Sequence, residues 1–544
     1  VVRLADLIAA LRTGASSPGM AGAPVRTPDM DAGRNSIAGA CTSATAREKD
    51  EGSVMGRLSH IGARHLADLE PGLEIAGLTA DSRRVAPGFL FAALPGTTRD
   101  GRAFIPEAVA RGAVAVLAPL GTRVHDARRP VQLITEANPR RAFALMAARF
   151  FGAQPDTVAA VTGTNGKTST AVFTRQIWAA LGLKAGSLGT LGAVAPGYER
   201  ASTTTTPDPV ALHRILAEMV AAGCDHLAME ASSHGLHQYR LDGVRVRAAA
   251  FTNLTHDHLD YHGSMAAYLA AKARLFTEVM APGGVAVLNA DMPQAEDLAD
   301  VCRGRGHQVL TYGYRGADLR LEKVRPTACG QTLTLRVLGT RHRVCLPVAG
   351  TFQAHNALAA LGLVLACGAP ASPAAAALET LTEVPGRMQK VATLDHGAVV
   401  YVDYSHTPDS LETALTALRP HAAGRLVCVF GCGGDRDRTK RPIMGEIAAR
   451  LADVPIVTDD NPRGEDPAAI RAAVMAACPG GREIGDRAEA IRAGVAALGP
   501  GDVLLIAGKG HEQGQVVGDR VLPFDDATQA RAAVRDRRQG EDAT

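Results

Sequence analysis

An apolar hexad, Thr157-Val158-Ala159-Ala160-Val161-Thr162, runs into Gly163-Thr164-Asn165-Gly166-Lys167-Thr168, and an amphipathic helical pattern then continues to about Leu181. A buried strand entering a glycine turn that opens a helix is the unit from which parallel sheets are wound. Glycines let the backbone N–H groups of such a turn converge, and the helix N-terminus adds partial positive charge, so the turn suits a phosphate. In this register Lys167 neutralises β- and γ-phosphates and Thr168 reaches Mg²⁺. The generic loop has glycine at the position of Val161; here Gly163 takes the turn, which makes the loop a variant. A purely structural strand-to-helix turn rarely carries Lys-Thr there, so ATP is the expected ligand of Gly163, Thr164, Asn165, Gly166, Lys167 and Thr168.

Strand and helix alternate around this unit to about Leu381, predicting a mostly parallel, doubly wound central sheet over 157–382, covered on both faces. Ahead of it, 56–156 reads as a small α/β domain, with strands at 88–94 and 113–118 and a helix at 105–111. Beyond it, 383–544 carries apolar strands at 399–403, 425–431, 455–459 and 502–507 between helices at 409–418 and 443–451. That is the pattern of a Rossmann-like α/β domain, with ligand loops at its strand ends. The expected fold class is therefore α/β in three domains. Residues 1–55 are read as an extension outside the folded body, because 13–53 is rich in Gly, Ala, Ser, Pro and Thr and lacks any period. Met55, just ahead of the first patterned sequence, is a candidate start of translation.

Composition excludes several classes. The 544 residues carry a formal net charge of only +3 and no basic run with interleaved aromatics, so no nucleic-acid footprint is expected. No apolar stretch reaches the roughly 20 residues that span a bilayer, and Asp6 and Arg12 interrupt the first apolar segment, which argues against a signal peptide. Nine scattered cysteines lack zinc-site spacing and point to reduced thiols in the cytoplasm; Cys428 and Cys432 read as buried thiols. The expected partners are small molecules, met by a monomer.

Two further strand ends are polar. Leu227-Ala228-Met229 leads to Glu230-Ala231-Ser232-Ser233-His234-Gly235, where Glu230 is placed to ligate Mg²⁺ or, more blandly, to cap the next helix. A second apolar run, 249–254, ends in Thr255-His256-Asp257-His258-Leu259-Asp260-Tyr261-His262. His258 is a candidate metal or phosphate contact, although an isolated histidine is more often structural.

These segments, together with His355-Asn356, Gly386-Arg387-Met388 and Asp403-Tyr404-Ser405-His406-Thr407-Pro408-Asp409, occur in the order found in the Mur ligases, over about residues 77–526. The chain resembles that family, and within it the tripeptide-synthetase (MurE-type) subgroup that adds diaminopimelate. The resemblance implies an ATP- and Mg²⁺-dependent amide ligase of cell-wall precursor synthesis. It marks Lys272, in Ala270-Ala271-Lys272, as a lysine that is carbamylated and joins Thr168, Glu230 and His258 at the metal; bottom-up, a lone helical lysine is ordinarily a solvated residue. It places Ser82, in Asp81-Ser82-Arg83, at the uracil-ribose end, and Thr205, Thr206, Ser232, Gln238 and Arg240 on the UDP-muramoyl dipeptide. Asp-Ser-Arg is equally a capped turn.

The same resemblance assigns the incoming amino acid to Arg436, to Asp460-Asn461-Pro462-Arg463, and to Gly508 and Glu512. Diaminopimelate has a second carboxylate and ammonium, which Arg463 and Glu512 suit; lysine lacks that carboxylate. Asn356 and Arg387 fall to the nucleotide, with His406 and Arg387 as groups that close over it through a hinge. The family's Gly-x-Phe-Asn segment reads Gly350-Thr351-Phe352-Gln353 here. The expected reaction passes the γ-phosphoryl group of ATP to the dipeptide's terminal carboxylate, and the amine then displaces phosphate. Alternatives are a lysine-adding relative, a folylpolyglutamate synthase, which lacks the uridine-binding segment at 77–101, and a nucleotide-driven switch that forms no amide.

Overall fold

The computed structural model describes residues 1–12, 72–96, 99–124, 130–202, 204–327 and 330–542. They form two compact units, Val1–Phe150 and Phe151–Thr544.

In the first unit four parallel strands lie in the order Gly77–Thr79, Phe89–Ala92, Ala113–Pro119, Gln132–Glu136. The helix Ile105–Ala110 buries Ile105, Ala108 and Val109, which join Phe91, Val116 and Leu133 in one core. Residues 1–12, expected to lie outside the body, are part of it. Val2–Arg3 pairs antiparallel with Glu74–Ile75, and the helix Leu4–Arg12 buries Leu4, Leu7 and Ile8. These apolar positions are spaced three and four apart, which is one face of a helix; the low-complexity sequence that follows hides so short a signal. Residues 13–55, with the extension and Met55 readings, lie outside the described residues.

Among the described residues the second unit holds two large sheets and a two-stranded one, in which Gly514–Val517 pairs antiparallel with Arg520–Pro523. The first has eleven strands, and at its centre Ala185–Gly189, His226–Glu230, Thr157–Thr162, Val246–Phe251, Met280–Asn289 and Gln308–Gly313 run parallel in that spatial order. Successive residues of the Thr157–Thr162 strand feed opposite cores. Ala159 and Val161 meet Phe173, Trp178 and Leu361 on one side, while Val158 and Ala160 meet Leu212, Leu216 and Phe276 on the other. The helices Lys167–Ala180 and Thr351–Ala366 thus cover one face, and Pro209–Ala221 covers the other. The predicted alternation of strand and helix stops at the edge. There Leu319–Thr327, Gly330–Val337 and Thr340–Leu346 form an antiparallel meander. The cause is a period of two: Leu333, Leu335 and Val337 are buried while Thr332, Thr334 and Arg336 are not, the signature of strands wetted on one face.

The second sheet has six strands in the order Gln389–Thr393, Val399–Asp403, Val503–Ala507, Leu426–Phe430, Val454–Val457, Arg482–Glu483, with only the first antiparallel. Its parallel strands end together, and the segments after Asp403, Phe430, Val457 and Ala507 are the ones that carry polar motifs. The switch from apolar strand to polar loop at each end is what positions the site.

Candidate active site

Gly163 and Gly166 have φ of 139° and 87°, so the turn uses backbone that favours glycine. Space is also short, because a Cβ on Gly163 would lie 1.9 Å from Thr252 Oγ1 and one on Gly166 2.3 Å from Asn356 Oδ1. The loop is braced from the next strand end: Asn253 accepts from Asn165 N through Oδ1 at 2.8 Å, and Thr252 Oγ1 donates to Asn165 O at 2.6 Å. Lys167 Nζ donates to the carbonyls of Gly163 and Thr164 at 3.0 and 2.7 Å. Burial lowers the Lys167 pKa, opposed by the nearby charges of Glu230 and Asp257.

Glu230 is 2% exposed. Its carboxylate accepts from Thr168 Oγ1 at 3.1 Å and from Thr190 N at 2.7 Å, so the helix cap considered for it is made instead by Ser232, whose Oγ accepts from Gly235 N. Lys272 is 1% exposed, donates to Gly163 O at 2.7 Å and lies 4.3 Å over the Tyr268 ring. His258 precedes the helix Leu259–His262 at φ 54°, its ring 4.8 Å from that of His234; burial lowers its pKa. Thr168, Glu230, His258 and Lys272 therefore surround the phosphate loop. The hydroxyl of Thr168 and the carboxylate of Glu230 are hard oxygen donors of the kind Mg²⁺ takes from a protein while phosphates and water complete its shell. Among the described residues no three His, Cys, Asp or Glu side chains are grouped to hold a metal by themselves.

The last sheet contributes to the same cleft of about 480 Å³, lined by Lys167, Thr168, Glu230, His258, Arg387 and His406 among others. Arg387 Nη2 stands 3.5 Å from Thr168 Oγ1, and its guanidinium lies 4.4 Å from the centre of the Tyr404 ring. Asn165 Nδ2 donates to Asp409 Oδ2 at 3.1 Å. Gln353 accepts from Asn356 Nδ2 at 2.9 Å and donates to Arg387 O at 3.0 Å, so its longer side chain links two of the expected nucleotide residues. Burial lowers the pKa of His406, whose carbonyl accepts from Lys440 Nζ at 2.8 Å.

Thr205, Thr206, Ser232, Gln238 and Arg240 gather beside Glu230. Thr205 Oγ1 is 3.0 Å from Thr190 Oγ1, and Ser232 Oγ donates to Thr206 Oγ1 at 3.0 Å. Arg240 donates to Thr206 O and to Gln238 Oε1, both at 2.7 Å. Ser82, in the first unit, donates to Glu107 Oε2 at 2.9 Å, and Asp81 caps the turn by accepting from Arg83 N.

At the far strand ends Arg463, at φ 53°, donates to Gly434 O at 2.9 Å and so meets the loop that carries Arg436, which is exposed and donates to Asp435 O. Asn461 Nδ2 donates to Glu512 Oε2 at 2.9 Å. Asp460 and Gly508 touch, a Cβ on Gly508 falling 2.6 Å from Asp460 Oδ2. Pro462 O lies 1.9 Å from a Cβ placed on Gly434, so that glycine is required by packing.

Sequence reasoning passes over Lys509, which is fully buried and donates to Asn461 Oδ1 at 2.9 Å and to Glu512 Oε2 at 3.2 Å. It also passes over Asp257, Asn253, Tyr268 and Tyr404. Each stands inside or beside a polar strand-end motif, but only packing shows that it faces the others.

The chain is similar to known proteins over most of its length. A model described as the Mur ligase middle domain matches residues 161–364, the Mur ligase glutamate ligase domain matches 386–510, and the Mur ligase family catalytic domain matches 74–151. Proteins named UDP-N-acetylmuramoyl-L-alanyl-D-glutamate--2,6-diaminopimelate ligase are similar to the chain: that of Agrobacterium fabrum is 51% identical across 88% of this chain and 95% of its own. That of Caulobacter vibrioides is 54% identical across 85% and 95%. A solved structure of a ligase of that name superimposes with a TM-score of 0.65 at 32% identity, covering 87% of this chain and 97% of the other. The chain is thus a member of the Mur ligase family.

Proposed function

We propose that this chain joins meso-2,6-diaminopimelate to UDP-N-acetylmuramoyl-L-alanyl-D-glutamate, with ATP cleaved to ADP and phosphate. The observation that carries the reading is one cleft in which Lys167, Thr168 and Glu230 of the middle domain face Arg387 and His406 of the last. Curated relatives about half identical over most of their length carry that enzyme name.

In the reaction an oxygen of the dipeptide carboxylate attacks the γ-phosphorus, and the bond to the ADP oxygen breaks. The amine of the third amino acid then attacks the acyl carbon, phosphate leaves with the bonding pair, and the amine gives up a proton. Charge spreads over the transferring phosphoryl oxygens, so fixed cations and N–H groups there supply most of the rate. Lys167 and the N-terminus of its helix would meet the phosphates, and Arg387 would cover them from the last domain. Mg²⁺, held by Thr168, Glu230 and His258 with a carbamylated Lys272, would add Lewis-acid charge beside the γ-phosphate. Asn356 would flank the base. Thr205, Thr206, Ser232, Gln238 and Arg240 would hold the muramoyl dipeptide and Ser82 its uridine end. Arg463 would fork onto the second carboxylate of diaminopimelate, with Glu512 accepting from its ammonium and Arg436, Asp460, Asn461, Pro462 and Gly508 shaping the pocket. Opening of the last domain would release products.

Mass spectrometry of the product tests this. Incubation with ATP, Mg²⁺, the UDP-muramoyl dipeptide and an equimolar mixture of diaminopimelate and lysine should yield the diaminopimelate tripeptide. A lysine product in excess would assign the chain to the lysine-adding type.

A further inference from the structure

Arg487 opens the helix Arg487–Ala496, and its side chain and that of Asp526 are both 0% exposed. Its Nε and Nη2 each donate to Asp526 at 2.7 Å. A guanidinium has five donor hydrogens, and this pairing uses two. Others turn toward the ligand loops: Nη2 also donates to Ala507 O at 3.0 Å, and Nη1 to Asp459 O at 3.4 Å.

Ala507 ends the strand Val503–Ala507, and Asp459 follows the strand Val454–Val457. Those strands are not neighbours, since Leu426–Phe430 runs between them. Arg487 therefore reaches across one strand and ties together two chain segments that become, one residue later, Gly508 and Asp460. The segments touch beside the guanidinium: a Cβ on Gly508 would lie 2.6 Å from Asp460 Oδ2 and 3.8 Å from Arg487 Nη2. Asp460 and Glu512 also act on the same cation. A pair of apolar side chains would fill this volume without the cost of removing two charges from water. What apolar side chains cannot supply is fixed hydrogen bonds to both carbonyls.

We infer that Arg487, anchored by Asp526, is a positioning residue that sets the spacing of the two loops receiving the incoming amino acid. The inference rests on the reading of those loops as the diaminopimelate site. It also gives the helix Asp526–Asp542 a function, because its first residue anchors the guanidinium that ties those loops.

Steady-state kinetics on the full chain test it, with Arg487→Lys, Asp526→Asn and the charge-free double variant Arg487→Met/Asp526→Leu. The expected result in the variants that fold is a KM for diaminopimelate raised about tenfold or more, as small displacements of a binding group produce. The KM values for ATP and for the UDP-muramoyl dipeptide should stay near wild type, and Arg487→Lys should be the mildest. Equal changes in all three KM values, a fall in kcat alone, or failure of all three proteins to fold would overturn the inference and leave a merely structural pair. Wild-type enzyme is the control: phosphate release that ignores diaminopimelate would overturn the substrate reading and the inference with it. Normal wild-type turnover with unaltered variants would overturn the inference alone.

Discussion

Lys167 and Lys272 come from different helices yet donate to one carbonyl oxygen, that of Gly163, at 3.0 and 2.7 Å. Two ammonium groups on one buried acceptor repel each other. Burial first, and the charge of Lys167 second, push the Lys272 pKa well below the ordinary lysine value. That direction favours the neutral amine at Lys272, the form that reacts with carbon dioxide. Carbamylation would bond its nitrogen to that carbon with loss of a proton, and would set an anion beside Lys167.

Depleting dissolved carbon dioxide should therefore lower turnover, and added bicarbonate should restore it. Lys272→Gln should lose at least about 100-fold in kcat, the scale of one lost electrostatic group at a transition state, and bicarbonate should not rescue it. Activity indifferent to carbon dioxide would contradict carbamylation.

Removing the guanidinium in Arg463→Ala should raise the KM for diaminopimelate by about 10- to 100-fold, as loss of a charge-assisted hydrogen bond predicts. The KM for ATP should hardly move. Parallel kinetics with both substrates varied separate the two, and a shared loss would place Arg463 in the fold rather than in the pocket.

Much of the nucleotide half of the site is legible in the amino-acid sequence. The strand, turn and helix around Lys167 have to form, because an apolar hexad, two glycines with positive φ and an amphipathic run all agree. The meander after Gly313 reads instead as alternating strand and helix, because a tally of apolar segments does not weigh period two against period 3.6 over so short a run. Lys509 and Arg487 stay hidden for another reason. Arginine and lysine are surface residues by default, and only packing shows that both are sealed inside the last domain. The pairing of Val2–Arg3 with Glu74–Ile75 joins residues more than seventy apart in the chain, and no local pattern reports such a contact.

His213 is buried and its pKa is lowered to about 4, because burial disfavours its charged ring. The unfolded chain binds a proton near the reference value of about 6.5, so it holds more protons than the folded chain between those two values. Stability from the neutral ring is complete above the unfolded value, falls as pH drops through the window and levels off below about 4. Urea titrations at neutral pH and near the lower end should show His213→Gln losing less stability on acidification than wild type, by up to about 3 kcal/mol. Identical losses would show that the ring does not titrate across folding.

Leu7 is fully buried in the first unit. Leu7→Ala should cost about 2 to 4 kcal/mol of that unit's stability, as for other buried leucines. A Tm unchanged for the first unit's transition would mean that the helix Leu4–Arg12 is not packed as described.

Release of phosphate, followed with each substrate omitted in turn, addresses the central claim most directly. A ligase working through an acyl phosphate should release phosphate in step with tripeptide only when ATP, Mg²⁺, the UDP-muramoyl dipeptide and diaminopimelate are all present. Equal release without the muramoyl dipeptide would contradict the account.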